Sequence, residues 1–123
     1  MAHGDLRPSN IHLVFPSYSK TASMTAHKKR QVLLQIDFTK DLFEVRIANF
    51  SNARLLTEEP ERLKIFAGTS HYHSPQVLSG EQSNSRDDIW ALGCILCELV
   101  SGHTPFQGEN QQEQQLSIEG SAY

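Results

Sequence analysis

His3-Gly4-Asp5-Leu6-Arg7-Pro8-Ser9-Asn10 sets a carboxylate, a guanidinium and an amide in one short polar stretch. A positioned carboxylate can accept a proton, and an amide carbonyl is a hard oxygen donor suited to Mg²⁺. Read alone, the stretch is a solvated loop with an Asx turn. His71 and His73 flank Tyr72 but have no evident third metal ligand, so they read as surface or pocket-lining residues. Cys94 and Cys97, spaced i and i+3, are the two cysteines of the chain and no second pair completes a zinc site. They read as reduced core residues. Lys28-Lys29-Arg30 reads as part of a solvated loop in preference to a nuclear address.

Something must hold such groups in place, and the strongest element is Ser85–Gly102. Its spacing predicts one helix. Ser85 with Asp88 resembles a capping box, and Asp87 and Asp88 set negative charge on the first turn. Gly102 and then Pro105 mark the stop. Ile89, Leu92, Ile95, Leu96 and Leu99 form one face, and Trp90, Cys94, Cys97 and Val100 cover much of the other. A helix apolar nearly all round is expected to be buried, and this one is too short and too well capped for a comfortable membrane span.

Upstream, Ile11–Phe15 predicts a short strand stopped by Pro16. Pro16–Arg30 reads as an exposed loop. Gln31–Phe38 and Leu42–Phe50 read as a β-hairpin around the polar break Asp37–Asp41. Leu55–Lys64 reads as exposed and mobile, and Gly68–Ser85 as mostly irregular. The tail from Gln107 shows no strong helical face.

At 123 residues the chain is one domain or part of one. Its 38% apolar and 20% charged residues suit a soluble globular segment. A formal charge of −3 gives no electrostatic reason to expect nucleic acid. The polar start MAHGDLRPSN predicts no signal peptide, so a cytosolic or nuclear protein is expected, and the sequon Asn49-Phe50-Ser51 then means little. Neither a membrane nor a nucleic-acid partner is expected.

Four blocks occur in fixed order: His3–Asn10; Val45-Arg46-Ile47-Ala48-Asn49-Phe50-Ser51; Gly68-Thr69-Ser70-His71-Tyr72-His73-Ser74-Pro75-Gln76; and Asp88-Ile89-Trp90-Ala91-Leu92-Gly93. Together they resemble the lower lobe of eukaryotic protein kinases of the serine/threonine type: catalytic loop, metal motif, end of the activation segment, central helix. The resemblance implies an α+β fold, a partial kinase C-lobe over 1–106 with an insert at about 14–40, a polar tail over 107–123, and no N-lobe in this chain. It implies ATP and Mg²⁺ as cofactors and a protein as substrate or partner.

Residue by residue, the resemblance makes Asp5 the catalytic base and Asn10 a metal ligand. Arg7 stands where a Lys usually lies beside the transferred phosphate, and Thr69 supports the catalytic Asp. His3 packs on Phe50, and Asp88 hydrogen-bonds back to the catalytic loop. Ile95 and Leu99 match positions beneath the nucleotide site.

The departures are as specific. Asn49 replaces a metal-binding Asp, which removes a unit of charge at the ion. Ser51 replaces a Gly, making positive φ at that hinge costly. Gly4 replaces an Arg that pairs with activation-segment phosphate, and Ile65 replaces the phosphorylated Thr, leaving Thr57 as a weak alternative. His12 falls under the adenine ring in place of an apolar residue. Gln76 replaces a Glu. These departures imply a degraded metal motif and impaired catalysis, or a pseudokinase scaffold, or a truncated gene product. With few partners for the helix, Trp90, Leu96 and Val100 are expected to be unusually exposed.

Overall fold

The computed structural model describes residues 1–55, 71–81 and 84–121, and it divides into two compact units, Ile11–Ala48 and Met1–Asn10 with Asn49–Tyr123. Most of Leu55–Lys64, together with Thr57, Ile65 and Thr69, lies outside the described residues.

The Ile11–Ala48 unit is built on two antiparallel strands, β1 (Ile11–Val14) and β2 (Glu44–Ile47), in register Ile11 to Ile47 and Leu13 to Val45. The expected β1 is present. The expected hairpin of Gln31–Phe38 with Leu42–Phe50 is not, because α1 (Ala26–Leu33) takes up the start of the first segment. Lys28, Lys29, Arg30, Gln31 and Leu33 are good helix formers, with no Gly or Pro among them. The polar break does turn the chain: the Asp41 carboxylate accepts from the Asp37 amide at 2.8 Å, and the Asp37 carboxylate accepts from the Thr39 amide at 3.0 Å. Hydrogen bonds from Lys40 and Thr39 hold the Asp37 carboxyl below its usual range. A cluster of aromatic rings, partly open to solvent at Phe38 and Phe43, lies beside the strands. Phe15 meets Tyr18, Phe38 and Phe43 at ring-centre distances of 6.3, 5.8 and 5.6 Å.

The other unit is helical. It contains α2 (Pro75–Leu78), α3 (Ser85–Ser101) and α4 (Gln111–Gly120). The short α2 interrupts the expected irregular stretch; Ser74 caps it and Pro75 opens it. For α3 the cap falls one residue before the expected one. Asn84 is the N-cap, its side chain accepts from the Arg86 amide at 2.8 Å, and the Asp87 carboxylate returns to the Asn84 amide. That shift leaves Asp88 free for another task. Gly102 ends α3 as expected, at φ 79°. The tail departs from expectation: α4 is a helix, capped by Asn110, which accepts from the Glu113 amide at 2.9 Å while Glu113 accepts from the Glu109 amide at 2.9 Å. Asn110 and Glu113 are a capping box by spacing, a signal independent of any apolar face. A Cβ on Gly108 would sit 2.4 Å from the Gln114 backbone nitrogen, so only glycine fits there. Gln114 itself is fully buried, and α4 packs on α2.

The buried face of α3 is narrower than its composition predicts. Only Asp87, Ala91, Cys94 and Ile95 are buried. Ile89, Leu96, Leu99 and Val100 are exposed, Val100 at 90%. Trp90 departs from its expected exposure by stacking on Phe106, with centroids 5.4 Å apart and planes 17° from parallel. Burial pushes the Cys94 thiol up to about 11, and Cys97 is exposed. Both are free thiols, but only Cys94 is the core residue expected of the pair, because Cys97 lies outside the narrow buried face of the helix. Among the described residues no helix is long and apolar enough to cross a membrane.

Candidate active site

The loop from Ala2 to Asn10 is held at its start and again at His3 and Gly4. Ala2 pairs with Arg54 through two backbone hydrogen bonds of 2.9 Å, which brings the Asn49–Arg54 segment alongside it. At its centre, the Asp88 carboxylate of α3 accepts from the His3 amide at 2.7 Å and from the Gly4 amide at 3.0 Å. One side chain thereby satisfies two adjacent backbone donors with charge-assisted bonds. The His3 ring meets Phe50 edge-on at 5.0 Å, and its Nδ1 accepts from the Asp5 amide at 3.3 Å.

Gly4 has φ 77°, and a Cβ there would lie 3.0 Å from the Asn52 carbonyl oxygen. The glycine thus serves the turn. Gly4→Ala is expected to cost about 2 kcal/mol through the left-handed backbone and the close approach, read as a fall in the thermal midpoint of the chain. An unchanged midpoint would count against this geometry.

Asp5 is largely covered. It receives the Asn10 side-chain amide at 3.2 Å and faces the Arg7 guanidinium at 3.5 Å. Asn10 is buried, and the same amide also donates to the Asp5 carbonyl at 2.7 Å. Asn49 donates its amide to the Asn10 Oδ1 at 3.3 Å. Its own Oδ1 accepts from the Ser51 hydroxyl at 2.8 Å. Asn49 is also the one described non-glycine residue at positive φ, 63°. The costly positive φ expected at Ser51 does not arise, and the residue that does carry one is of a type that tolerates it. Ser51 instead lies in a short turn of 3₁₀ helix, Phe50–Asn52.

These residues do not fit a divalent cation as they stand. The set holds one carboxylate and two neutral amides, and both amide oxygens are occupied by protein donors. An aspartate at 49 could not donate to Asn10, and two adjacent oxygens would call for a cation between them. With asparagine the pair closes on itself. Among the described residues no cluster of His, Cys, Asp and Glu could hold a metal ion.

Two further contacts and one perturbed imidazole do not show in the sequence. Tyr72 donates to Glu98 at 2.6 Å, and burial, then that bond, pushes its hydroxyl up to about 12. Ser74 donates to the buried Asp87. The His73 imidazole is held below its ordinary pKa by burial, against the opposing fields of Asp5 and Asp87. Its signal was only its nearness to Tyr72. Gln76 is exposed on α2. His12 lies on β1 in the other unit, opposite Arg46, with an exposed side chain. Thr69 lies outside the described residues.

Comparison with known proteins accords with this arrangement. The family model for the protein kinase domain matches residues 1–121. The chain is 38% identical over 111 residues to the human putative 3-phosphoinositide-dependent protein kinase 2, covering 89% of this chain and 22% of that protein. It is 32% identical over 108 residues to the serine/threonine-protein kinase UCN of Arabidopsis thaliana, covering 87% of this chain and 27% of that protein. With human serine/threonine-protein kinase Nek5 the identity is 35% over 83 residues, 68% of this chain and 12% of the relative. The chain spans about a quarter or less of the length of these relatives. A kinase-domain match along almost the whole chain, with the loop of Asp5 and Asn10 and the helix-borne Asp88 in the expected order, places this chain in the eukaryotic protein kinase family.

Proposed function

We propose that this chain forms the lower lobe of a serine/threonine-type protein kinase domain in which phosphoryl transfer from ATP to protein hydroxyls is impaired. The observation that carries the reading is the Asp88 bridge, which holds His3 and Gly4 immediately before Asp5. A fixed backbone there sets the direction of the Asp5 carboxylate. Asp5 is the candidate to orient and deprotonate a substrate hydroxyl, and Arg7 the candidate cation beside the transferred phosphate. Arg is forked and bulkier than Lys, and here it already faces Asp5. By the family resemblance alone, His12 and Asn49 are candidates for nucleotide contact and Thr69 for support of the catalytic aspartate. Impairment follows from the Asn10–Asn49 hydrogen bond, which replaces a cation-binding pair with a neutral one.

The same bond favours a second reading, a pseudokinase that binds protein partners without turnover. Cytosol or nucleus is the compartment that goes with either reading.

The test is Asn49→Asp in the natively expressed protein. Restoring the carboxylate is expected to raise Mg²⁺-dependent affinity for a fluorescent ATP analogue by about tenfold or more. Transfer to a generic protein substrate should then appear, and Asp5→Ala should abolish it while leaving nucleotide binding in place. A gain in binding without transfer selects the scaffold reading. No gain in binding removes the metal argument.

A further inference from the structure

We propose that the Ile11–Ala48 unit is a docking face for an anionic bilayer leaflet. This rests on charge and exposure within that unit and not on the kinase reading.

The charge of the chain is unevenly divided. Residues 11–48 hold six Lys and Arg against three Asp and Glu, whereas the rest of the chain holds five against eleven. An overall charge of −3 therefore conceals a basic unit. Three of its cations, Lys28, Lys29 and Arg30, are consecutive on α1, all exposed, and no residue of α1 is buried. None of the three takes part in a described ion pair, unlike Lys40, which pairs with Asp37, and Arg46, which pairs with Glu44.

Large exposed apolar side chains follow the cations within the next twelve residues. Leu34 is 80% exposed and Leu42 is 83% exposed, and Leu33 and Phe38 are exposed between and beside them. Scattered exposed leucines are ordinary on a protein surface. Four large ones within the stretch that carries a basic run are the composition of an interfacial segment, with apolar groups entering the acyl boundary and cations remaining at the headgroups. The occupant is chosen by both features together. An acidic polypeptide would neutralise the cations but leave Leu34 and Leu42 in water, whereas an anionic leaflet takes both. The contact is peripheral, since no described helix is a membrane span.

Each cation near such a surface is worth about fivefold in partitioning, and the attraction is screened by salt. The test is co-sedimentation of the full chain with vesicles of phosphatidylcholine alone or mixed with phosphatidylserine. Binding is expected only to the mixed vesicles, and raising the salt tenfold should weaken it several-fold. The charge-reversed variant Lys28→Glu, Lys29→Glu, Arg30→Glu should lose at least about tenfold. Leu34→Ser with Leu42→Ser should lose a comparable factor, and both positions are exposed enough to leave the fold intact. Circular dichroism matching the parent verifies this. The salt titration of the unaltered chain tests the charge component without any variant. The proposal is overturned by absence of binding to mixed vesicles, by equal binding to neutral vesicles, by indifference to both variants, or by binding to polyglutamate without binding to vesicles.

Discussion

Replacing Asp88 by alanine is expected to destabilise the chain by about 3 kcal/mol and to free the loop that carries Asp5. The two amides of His3 and Gly4 lose their acceptor at once. Both are partly covered donors, and His3 is a buried residue, so water replaces the carboxylate poorly. A hydrogen bond to a charged group contributes about 1.5–3 kcal/mol, and partial exposure of Asp88 lowers the sum of two. For a marginally stable chain that is a large fraction of the total. The checking measurement is denaturant unfolding combined with amide hydrogen exchange at His3 and Gly4. Protection at those two amides should fall further than protection within α3. Asp88→Asn should lie between, because the amide keeps one acceptor oxygen and turns its own donor toward the second N–H. Unchanged exchange at His3 and Gly4 would show that the Ala2–Arg54 pairing holds the loop without Asp88.

The reason this contact was foreseeable and others were not lies in what each depends on. The start and stop of α3 are local signals, and Gly102 falls where the chain needs a left-handed residue. The cap nonetheless falls on Asn84, because Asn and Ser compete equally for that place and Asp88 is drawn to the loop. The link between Asp88 and His3 joins residues 85 positions apart, and spacing alone cannot reveal it. It was legible through the order of the four blocks. No block order pointed to α1 or α4. Both are helices with weak apolar faces, and their signals are helix-forming side chains for α1 and an Asn110–Glu113 box for α4. Reading them by periodicity made one a loop leading into a strand and the other a tail. Asn49 was legible as a lost charge, but not as a new donor. Its donation to Asn10 joins residues 39 positions apart, which spacing alone does not reveal.

In the sequence Asp87 is one more favourable charge at a helix start, and the structure gives it a larger part. It is buried, its carboxylate takes the Ser74 hydroxyl, and it also takes the Asn84 amide. Asp87→Ala is therefore expected to cost about 3–4 kcal/mol, made up of a lost cap and a buried hydroxyl left without its acceptor. Ser74 alone is a smaller loss, although its oxygen also accepts from the Val77 amide at 3.3 Å and so caps α2. The separating measurement is a double-mutant cycle with Ser74→Ala, followed by denaturant unfolding. Once Asp87 is gone, removing the Ser74 hydroxyl also removes an unsatisfied buried group. The double variant should then be more stable than the sum of the single losses predicts, by about 1–2 kcal/mol. That coupling would make the cap of α2 and the cap of α3 a single polar joint. The carboxylate that fastens this joint also contributes to the field on the His73 imidazole. Additive losses would instead mean that Asp87 serves α3 alone, and that α2 is held by its packing on α4.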